Sequence, residues 1–432
     1  MGRLRMSDTG TGTVVTPEAS DAGRPAQVST AGALGFGVAF AVLGLLMVFS
    51  FGFGSASGLS SRFVLDTDPL IDFSVPSRAT PIVLGVVCVA LGAFALTRTL
   101  SGRIYLVLGV VLVLFVFTLL TWAARDGSTS LLGLLQGAII RCIPLALGAL
   151  AGVLCERAGV INIAIEGMML GAAFVGSLVA SAAGNLWLGM AGGIAIGAAL
   201  GLLLGVLSIR YTVDQIIGGT VINIFALGLT SFLGAKILTE YQDLNKPGTF
   251  RPIEIPLLSK IPFLGPLLFH NGIYVYLMFA LVALVWWGLS RTRWGLRVRA
   301  VGEHPRAADT VGINVLRTRY RSVVLGGAMA GLAGTFFSLG SAGSFQENMT
   351  AGRGFIALAA LIFGRWHPVG ALSAALVFGF AEELQGRLAL LNTPIASDLL
   401  LMMPYIVTIF VVAGLVGRAR PPAADGQPYA KQ

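Results

Sequence analysis

Charge is what this sequence has least of. Only 11% of its 432 residues are Asp, Glu, Lys or Arg, where a soluble domain carries about 25%. The lysines are Lys236, Lys246, Lys260 and Lys431, and none follows a glycine. No G-x-x-x-x-G-K-[ST] phosphate loop exists, so the chain cannot hydrolyse ATP by that route. His270, His304 and His367 stand far apart and no H-E-x-x-H occurs, which leaves no metal spacing. Cys88, Cys142 and Cys155 sit in or beside apolar stretches, so no extracellular disulfide framework is implied. A G-x-S-x-G elbow and a G-x-G-x-x-G loop are also missing. These absences exclude a soluble enzyme, a disordered chain and a disulfide scaffold, and no catalytic residue, metal or cofactor is assigned to this chain.

What is present is apolar surface. Hydrophobic residues make up 56% of the chain, with 57 glycines and a mean hydropathy of +0.85. That composition fits an all-α polytopic membrane helix bundle, in which apolar side chains face lipid and glycine lets helices approach closely. Candidate spans fall at about 31–53, 81–97, 104–122, 131–154, 163–183, 186–209, 214–238, 272–290, 321–342, 354–366, 368–385 and 398–417, each judged against the roughly 20 apolar residues a crossing needs. The run at 354–366 is short enough to be re-entrant, and Arg141 places the first part of 131–154 near an interface. The expected count is therefore about 10–12 spans, with broken helices and inverted repeats among the expectations.

The net charge of +9 is read through the positive-inside rule rather than as a nucleic-acid signal. Segment 291–321 alone holds eight of the 29 basic residues, all arginine, against Glu303 and Asp309. Such a cluster belongs in the cytoplasm. Counting crossings from it puts both termini there, with the loops at 54–80 and 239–271 outside. Residues 1–30 read as a disordered cytoplasmic arm, and the tail after Arg418 and Arg420 as disordered too.

Four features stand out from the apolar background. Gly189, Gly193, Gly197, Gly201 and Gly205 make one smooth helical stripe, and Gly327 and Gly331 repeat the device: a close helix interface, either moving or static. Asn162 and Glu166 share a helix face, with Met169 on the same side. A carboxylate at membrane depth costs about 2.5–3.5 kcal/mol, so Glu166 faces either a polar substrate path or a buried partner such as Arg157 or Arg141. Asn223 lies mid-span with Thr220 one turn before it, as interhelical glue or as a ligand, while Asp214 and Gln215 cap that span's start. Polar, glycine-rich residues interrupt the apolar region at 344–355, between Phe345 and Phe355. Short interrupted segments in two halves of a transporter point to the translocation site, and here the pair is 155–167 with 344–356; a plain extracellular loop is the alternative for the second. Within the basic segment, Ala307, Ala308 and Val311 recur at helical spacing between Pro305 and Gly312. This is a short helix with defined ends, serving as a docking surface or lying on anionic lipid.

Three segments carry a resemblance to a known family. They are Pro144–Leu170, ending in E-R-A-G-V-I-N-I-A-I-E-G-M-M-L; Trp294–Ile313, W-G-L-R-V-R-A-V-G-E-H-P-R-A-A-D-T-V-G-I; and Gly352–Leu372, G-R-G-F-I-A-L-A-A-L-I-F-G-R-W-H-P-V-G-A-L. The chain resembles the permease subunits of ATP-binding-cassette importers, in the branch for simple sugars, branched-chain amino acids and nucleosides, and the first and third segments are closest to the nucleoside permeases. The likeness runs over about 130–417 and makes that stretch the transporter domain. Residues 31–129, with up to three extra spans, depart from the pattern, and Arg365 and His367 stand where the pattern has a smaller stretch.

The resemblance implies a transport subunit rather than an enzyme, in the cell membrane. It would be partnered by a second permease (a heterodimer), a cytoplasmic ABC ATPase that uses the ATP, and an extracellular substrate-binding lipoprotein. Membrane lipid is the remaining partner, and nucleic acid is not one. The segment holding Gly302, Glu303, Ala307, Ala308 and Gly312 would seat on the ATPase, and the loops at 239–271 and 343–353 would receive the binding protein. Along the path, Met169, Phe345 and Phe355 are candidates for base contact, and Asn162, Glu166 and Asn223 for polar contact. Sugars or branched-chain amino acids are the alternative substrates, and an ion-coupled secondary transporter using Glu166 is the alternative of another class. A membrane enzyme or scaffold has no motif behind it.

Overall fold

The computed structural model describes residues 30–65, 72–97, 104–391 and 420–430, with residues 393, 396, 399 and 402 singly beyond them. The arm through residue 29 lies outside the described residues, as does almost all of the span expected at 398–417. Among the described residues nine helices are long and apolar enough to cross a membrane, and strands are few and short. This is a polytopic helical membrane protein. All three cysteines are free and buried.

The chain forms two compact units. The first takes residues up to Leu59 and Pro76–Trp122. It holds α1 (Thr30–Leu46, continued by a π-helical turn over Met47–Phe53), α2 (Ala79–Thr97) and α3 (Ile104–Ala123). Glycines set the α1–α2 spacing: a Cβ on Gly44 would stand 2.6 Å from the Gly85 carbonyl oxygen, and one on Gly92 2.8 Å from the Ala41 nitrogen. Backbones that close leave no room for any side chain. Phe51 packs against Trp122 and Phe115, with ring centroids 5.1 and 6.0 Å away.

The second unit takes Ser60–Val75 and everything from Ala123 onward. Strands β1 (Ser60–Val64), β2 (Phe73–Pro76) and β3 (Ser128–Ser130) form a small sheet in the order β2-β1-β3, with Arg62 opposite Ser128 in the parallel β1–β3 pair. Ser130 then caps α4 (Leu131–Glu156), its hydroxyl accepting from the Gly133 N–H at 2.9 Å. The helices that follow are α5 (Ile165–Ala183), α6 (Leu186–Gly205), α7 (Gln215–Leu233), α8 (Ile273–Arg291), α9 (Arg293–Glu303), α10 (Pro305–Thr310), α11 (Val315–Thr335), α12 (Arg353–Phe363) and α13 (Pro368–Leu390). From Cys142 to its end α4 is buried throughout, packed along α11, α12 and α13. By contrast α7 leaves Ile217, Ile224, Phe225 and Phe232 exposed, as a lipid-facing or partner-facing helix does.

The two glycine patterns prove to be two sides of one contact. A Cβ on Gly197 of α6 would lie 2.4 Å from the Gly327 carbonyl oxygen and 2.5 Å from the Gly331 Cα of α11, and one on Gly201 2.7 Å from the Val323 oxygen. The upper part of the stripe meets α5 instead, where Gly189 faces the Gly176 oxygen and Ala180. Helix α11 also begins earlier than its apolar run, at Val315 rather than 321. Its first turns therefore carry Arg317, Arg319 and Arg321, and Arg319 is only 2% exposed.

The proline-punctuated stretch 239–271 is folded. Strands β4 (Ile253–Glu254) and β5 (His270–Asn271) pair antiparallel, Phe250 N–H donates to the Leu339 carbonyl, and Gln136 of α4 donates to the Pro266 carbonyl at 2.8 Å. The tail expected to be disordered is folded over 420–430 as well, because its backbone finds partners on Gly302 and Arg319.

Candidate functional site

Between α4 and α5 the chain leaves helical geometry for eight residues, yet Ala158, Val160, Asn162 and Ala164 are fully buried. Buried non-helical backbone must be given partners by other elements. Gln215, expected as a cap, supplies one: its Oε1 accepts from the Ile161 N–H at 2.6 Å. Asn223 supplies two, donating from Nδ2 to the Ile163 carbonyl (2.9 Å) and accepting at Oδ1 from the Gly167 N–H (2.8 Å). Its amide thus stands in for the turn of helix that is missing. Gly167 permits this, since a Cβ there would come 2.9 Å from the Asn223 Cα. Asp214 is the cap of α7, accepting from Ile216 and Ile217, and Thr220 bonds back to the Ile216 carbonyl rather than to Asn223.

The second broken segment follows α11, whose last turns widen to π geometry over Phe336–Ala342 and stop at Gly343 with φ 70°. The two breaks, distant in sequence, meet at Glu166. This side chain is 9% exposed, and its Oε1 accepts from Thr350 Oγ1 (2.6 Å) and the Gly352 N–H (2.8 Å) while Oε2 accepts from the Gly354 N–H (2.6 Å). The carboxylate therefore sits on the N-terminus of α12, where unpaired amides and the helix dipole favour an anion. Neither arginine expected as its partner holds it. Arg141 turns to Glu382 and Glu383, and Arg157 donates to the Trp366 carbonyl at 2.8 Å. Opposite charge was the wrong criterion, because at a helix start bare N–H groups meet a carboxylate equally well.

A charged cluster that the sequence reading missed surrounds the start of α12. Arg353 reaches Glu382 and the Thr350 carbonyl and lies 5.7 Å over the Phe337 ring. Arg141 bonds Glu383 at 2.7 Å and Glu382 at 3.3 Å, and Arg387 bonds Glu383 at 2.9 Å. Three arginines thus meet two carboxylates, while Glu166 nearby is held by Thr350 and backbone amides. Arg141 lies within a continuous α4. The Glu382–Glu383 pair inside an apolar run was the available signal.

The other candidates are placed less uniformly. Asn162 is buried within the first break, with Nδ2 3.4 Å from Cys155 Sγ and Oδ1 unpartnered. Met169 is buried where Gly148 of α4 and Gly334 of α11 close in, as packing between helices. Phe345 lies at the far end of the second segment, edge-on to Phe174 at 5.1 Å, with its N–H and carbonyl clamped by Asn245. Phe355 leaves half its surface exposed. The structure thus brings Asn162, Glu166 and Asn223 together around the first break, with Phe355 one residue past Gly354 and Phe345 packed on Phe174.

At the opposite end of the first break, Gly302 of α9 lies so close that a Cβ would stand 2.2 Å from the Arg157 carbonyl oxygen. Ala308 is buried with Val301 and Val315, and Gly312 has φ 83°. Glu303, Ala307 and Val311 point outward, Val311 being 74% exposed. Arg365 and Trp366 both adopt left-handed backbone (φ 55° and 53°), which swings the Trp366 indole N–H onto Glu156 at 2.5 Å. Burial pushes the Arg157 guanidinium below its ordinary range, with Glu303 opposing the shift.

Residues 134–412 match the family described as branched-chain amino acid transport system / permease component. The guanosine ABC transporter permease protein NupQ of Bacillus subtilis is 41% identical over 302 residues, 68% of this chain and 95% of that protein. The nucleoside ABC transporter permease protein NupC of Lactococcus lactis is 36% identical over 68% of this chain and 95% of its own length. A putative glucose ABC transporter permease protein of Haloferax volcanii, TsgC13, is 36% identical over 66% of this chain and 92% of its own. No solved structure matches.

Proposed function

The chain belongs to the branched-chain amino acid transport system permease family, and from that premise we propose that it is the membrane-spanning permease of an ATP-driven importer for nucleosides. The observation that carries the substrate is the likeness, over nearly their whole lengths, to permeases named for guanosine and nucleosides. The arginines of 291–321 put α9 and α10 in the cytoplasm. There a separate ATPase would press on the outward residues Glu303, Ala307 and Val311, and Gly302 would pass the movement to the first break. A second permease would complete the path. The folded loop at 239–271 and the segment 343–353, on the outer side, would receive a substrate-binding lipoprotein.

In this reading the junction of the two breaks is the moving part of the path. Asn223 and Glu166 hold non-helical backbone in place while leaving it free of regular helix bonds, so a small displacement can re-pair those groups. An ion-coupled mechanism through Glu166 fits less well, because both carboxylate oxygens are already taken by three donors. The test is uptake by the complete complex in proteoliposomes, with radiolabelled guanosine, glucose and leucine compared. ATP-dependent guanosine accumulation is expected. Accumulation by the lone chain, or glucose or leucine uptake in its place, overturns the proposal.

A further inference from the structure

Residues 420–430 lie beyond the residues the family model matches, and they dock at the junction between α9–α10 and the first break. The Ala424 N–H donates to the Gly302 carbonyl (2.9 Å) and the Ala423 N–H to Glu303 Oε2 (3.2 Å). Buried Arg319, at the base of α11, donates from Nη1 to the Gln427 carbonyl at 2.8 Å. Tyr429 packs on the cluster of Val301, Ala308 and Val315. On the other side the same few residues cover the break. The Ala424 carbonyl abuts Gly159, where a Cβ would come within 2.9 Å of it, and Gly426 abuts Ile161, whose Cδ1 a Cβ would meet at 2.7 Å. Gly159 and Gly426 both have positive φ, 81° and 73°, which suits glycine at this close approach. A tail that merely ended the chain would need none of these reciprocal fits.

We propose that residues 422–429 are a coupling strap, which fastens the α9–α10 element to the non-helical segment 157–164 so that displacing one carries the other. The proposal rests on the importer reading above. Gly302 touches Arg157 directly as well, so the strap stiffens an existing contact and its loss weakens transmission without abolishing it.

The test uses the complete complex in proteoliposomes, with ATP hydrolysis and guanosine uptake measured in one preparation. Two chains are compared with the unmodified one: a chain ending at Arg420, and the full-length chain carrying Gly426→Val, whose side chain would strike Ile161. In both, ATP hydrolysis should stay within about twofold while guanosine moved per ATP falls about fivefold, the low end of ordinary coupling between sites. An unchanged yield per ATP overturns the strap, and so does a proportional loss of both activities, which is the mark of a merely structural cap. Should the shortened chain fail to assemble, Gly426→Val carries the test. Hydrogen exchange in the unmodified complex adds a check without any variant: nucleotide should change protection of 157–164 and 422–429 together, and independent changes refute the link. Absence of ATP-driven guanosine uptake by the unmodified complex refutes the importer reading itself; normal uptake there with undiminished yield in the variants refutes the strap alone.

Discussion

Replacing Glu166 with glutamine keeps the shape of the side chain but removes its charge and one acceptor. The carboxylate accepts from Thr350, Gly352 and Gly354. A carboxamide has one oxygen, and its NH2 must face whatever donor is left. The better orientation keeps Thr350 and Gly352 and abandons the Gly354 N–H in a buried place. An orphaned buried donor costs about 1–3 kcal/mol, and losing an anion at a partly buried helix N-terminus costs about 1 more. The sum, about 2–4 kcal/mol, falls on the anchoring of segment 344–354 rather than on the α4 core. At 1.4 kcal/mol per tenfold, opening of that segment should become about 30- to 700-fold more frequent. Hydrogen exchange of the Gly352 and Gly354 amides in lipid nanodiscs reads this directly, with guanosine uptake measured alongside. Faster exchange at those amides, unchanged exchange in α4 and reduced uptake at unaltered apparent affinity are expected. Unchanged exchange at Gly352 and Gly354 refutes the joint, and a loss of affinity without it would make Glu166 a substrate contact instead.

Other perturbations separate the remaining parts. Gly197→Ala drives a methyl into the α11 backbone and should cost about 1–3 kcal/mol, whereas Gly228→Ala, with nothing within 4 Å of its Cβ, should be neutral or stabilising by up to about 1 kcal/mol; melting of the purified chain compares them, and equal effects would deny the close α6–α11 contact. Glu383→Gln leaves one oxygen where Arg141 and Arg387 now have one each. Since Arg141 is 37% exposed, the cost should be about 2 kcal/mol, below the range for fully buried pairs. Arg141→Gln should then add little to it in a double-mutant cycle, and strict additivity would dissolve the network. The Asp425 carboxyl faces Glu156 of α4 and Arg319 of α11. Burial pushes it up to about 7, against a hydrogen bond with Glu156, the Gly426 N–H and the Arg319 charge. A raised carboxyl holds its proton in the docked tail and gives it up in the free one. Docking is thus strongest at about pH 4 and weakens as pH climbs to about 7. Limited proteolysis of the tail should quicken over that interval and depend less on pH in Asp425→Asn; a flat profile in the native chain refutes the assignment.

The helices were legible because lipid leaves a spanning segment few choices: it must satisfy its own backbone and stay apolar for its length. The ends of α10 were legible for a local reason too, with Pro305 starting it and Gly312 following it. What could not be read were the pairings. Glu166 meets partners 184 to 188 residues away, and Arg141 meets Glu382 and Glu383 across 241 and 242. No periodicity links such positions, and matching charge to charge chose Arg141 or Arg157 where the fold chose backbone amides. Gln215 was misjudged in the same way, as a local cap instead of a support for Ile161. The tail misled through composition, since a stretch rich in Pro, Ala and Gln announces disorder only while its backbone lacks partners, and here Gly302 and Glu303 accept from the Ala424 and Ala423 N–H groups.

These failures share a cause with physical content. Around the two breaks, polar groups are satisfied between elements rather than within them: Asn223 for Ile163 and Gly167, Glu166 for Gly352 and Gly354, and Arg319 for Gln427. A helix that bonds only to itself can be read from its own residues, but it cannot transmit much either, because its hydrogen bonds do not report a neighbour's position. Where backbone groups depend on a side chain from another helix, shifting that helix must strain or exchange those bonds. The stretches hardest to read from sequence are therefore the ones where a push on α9–α10 has something to act upon. Substitutions at Asn223 should accordingly disturb guanosine uptake more than equally buried apolar substitutions in α4 that cost the same stability, and parity between the two classes would break this link between pairing and transmission.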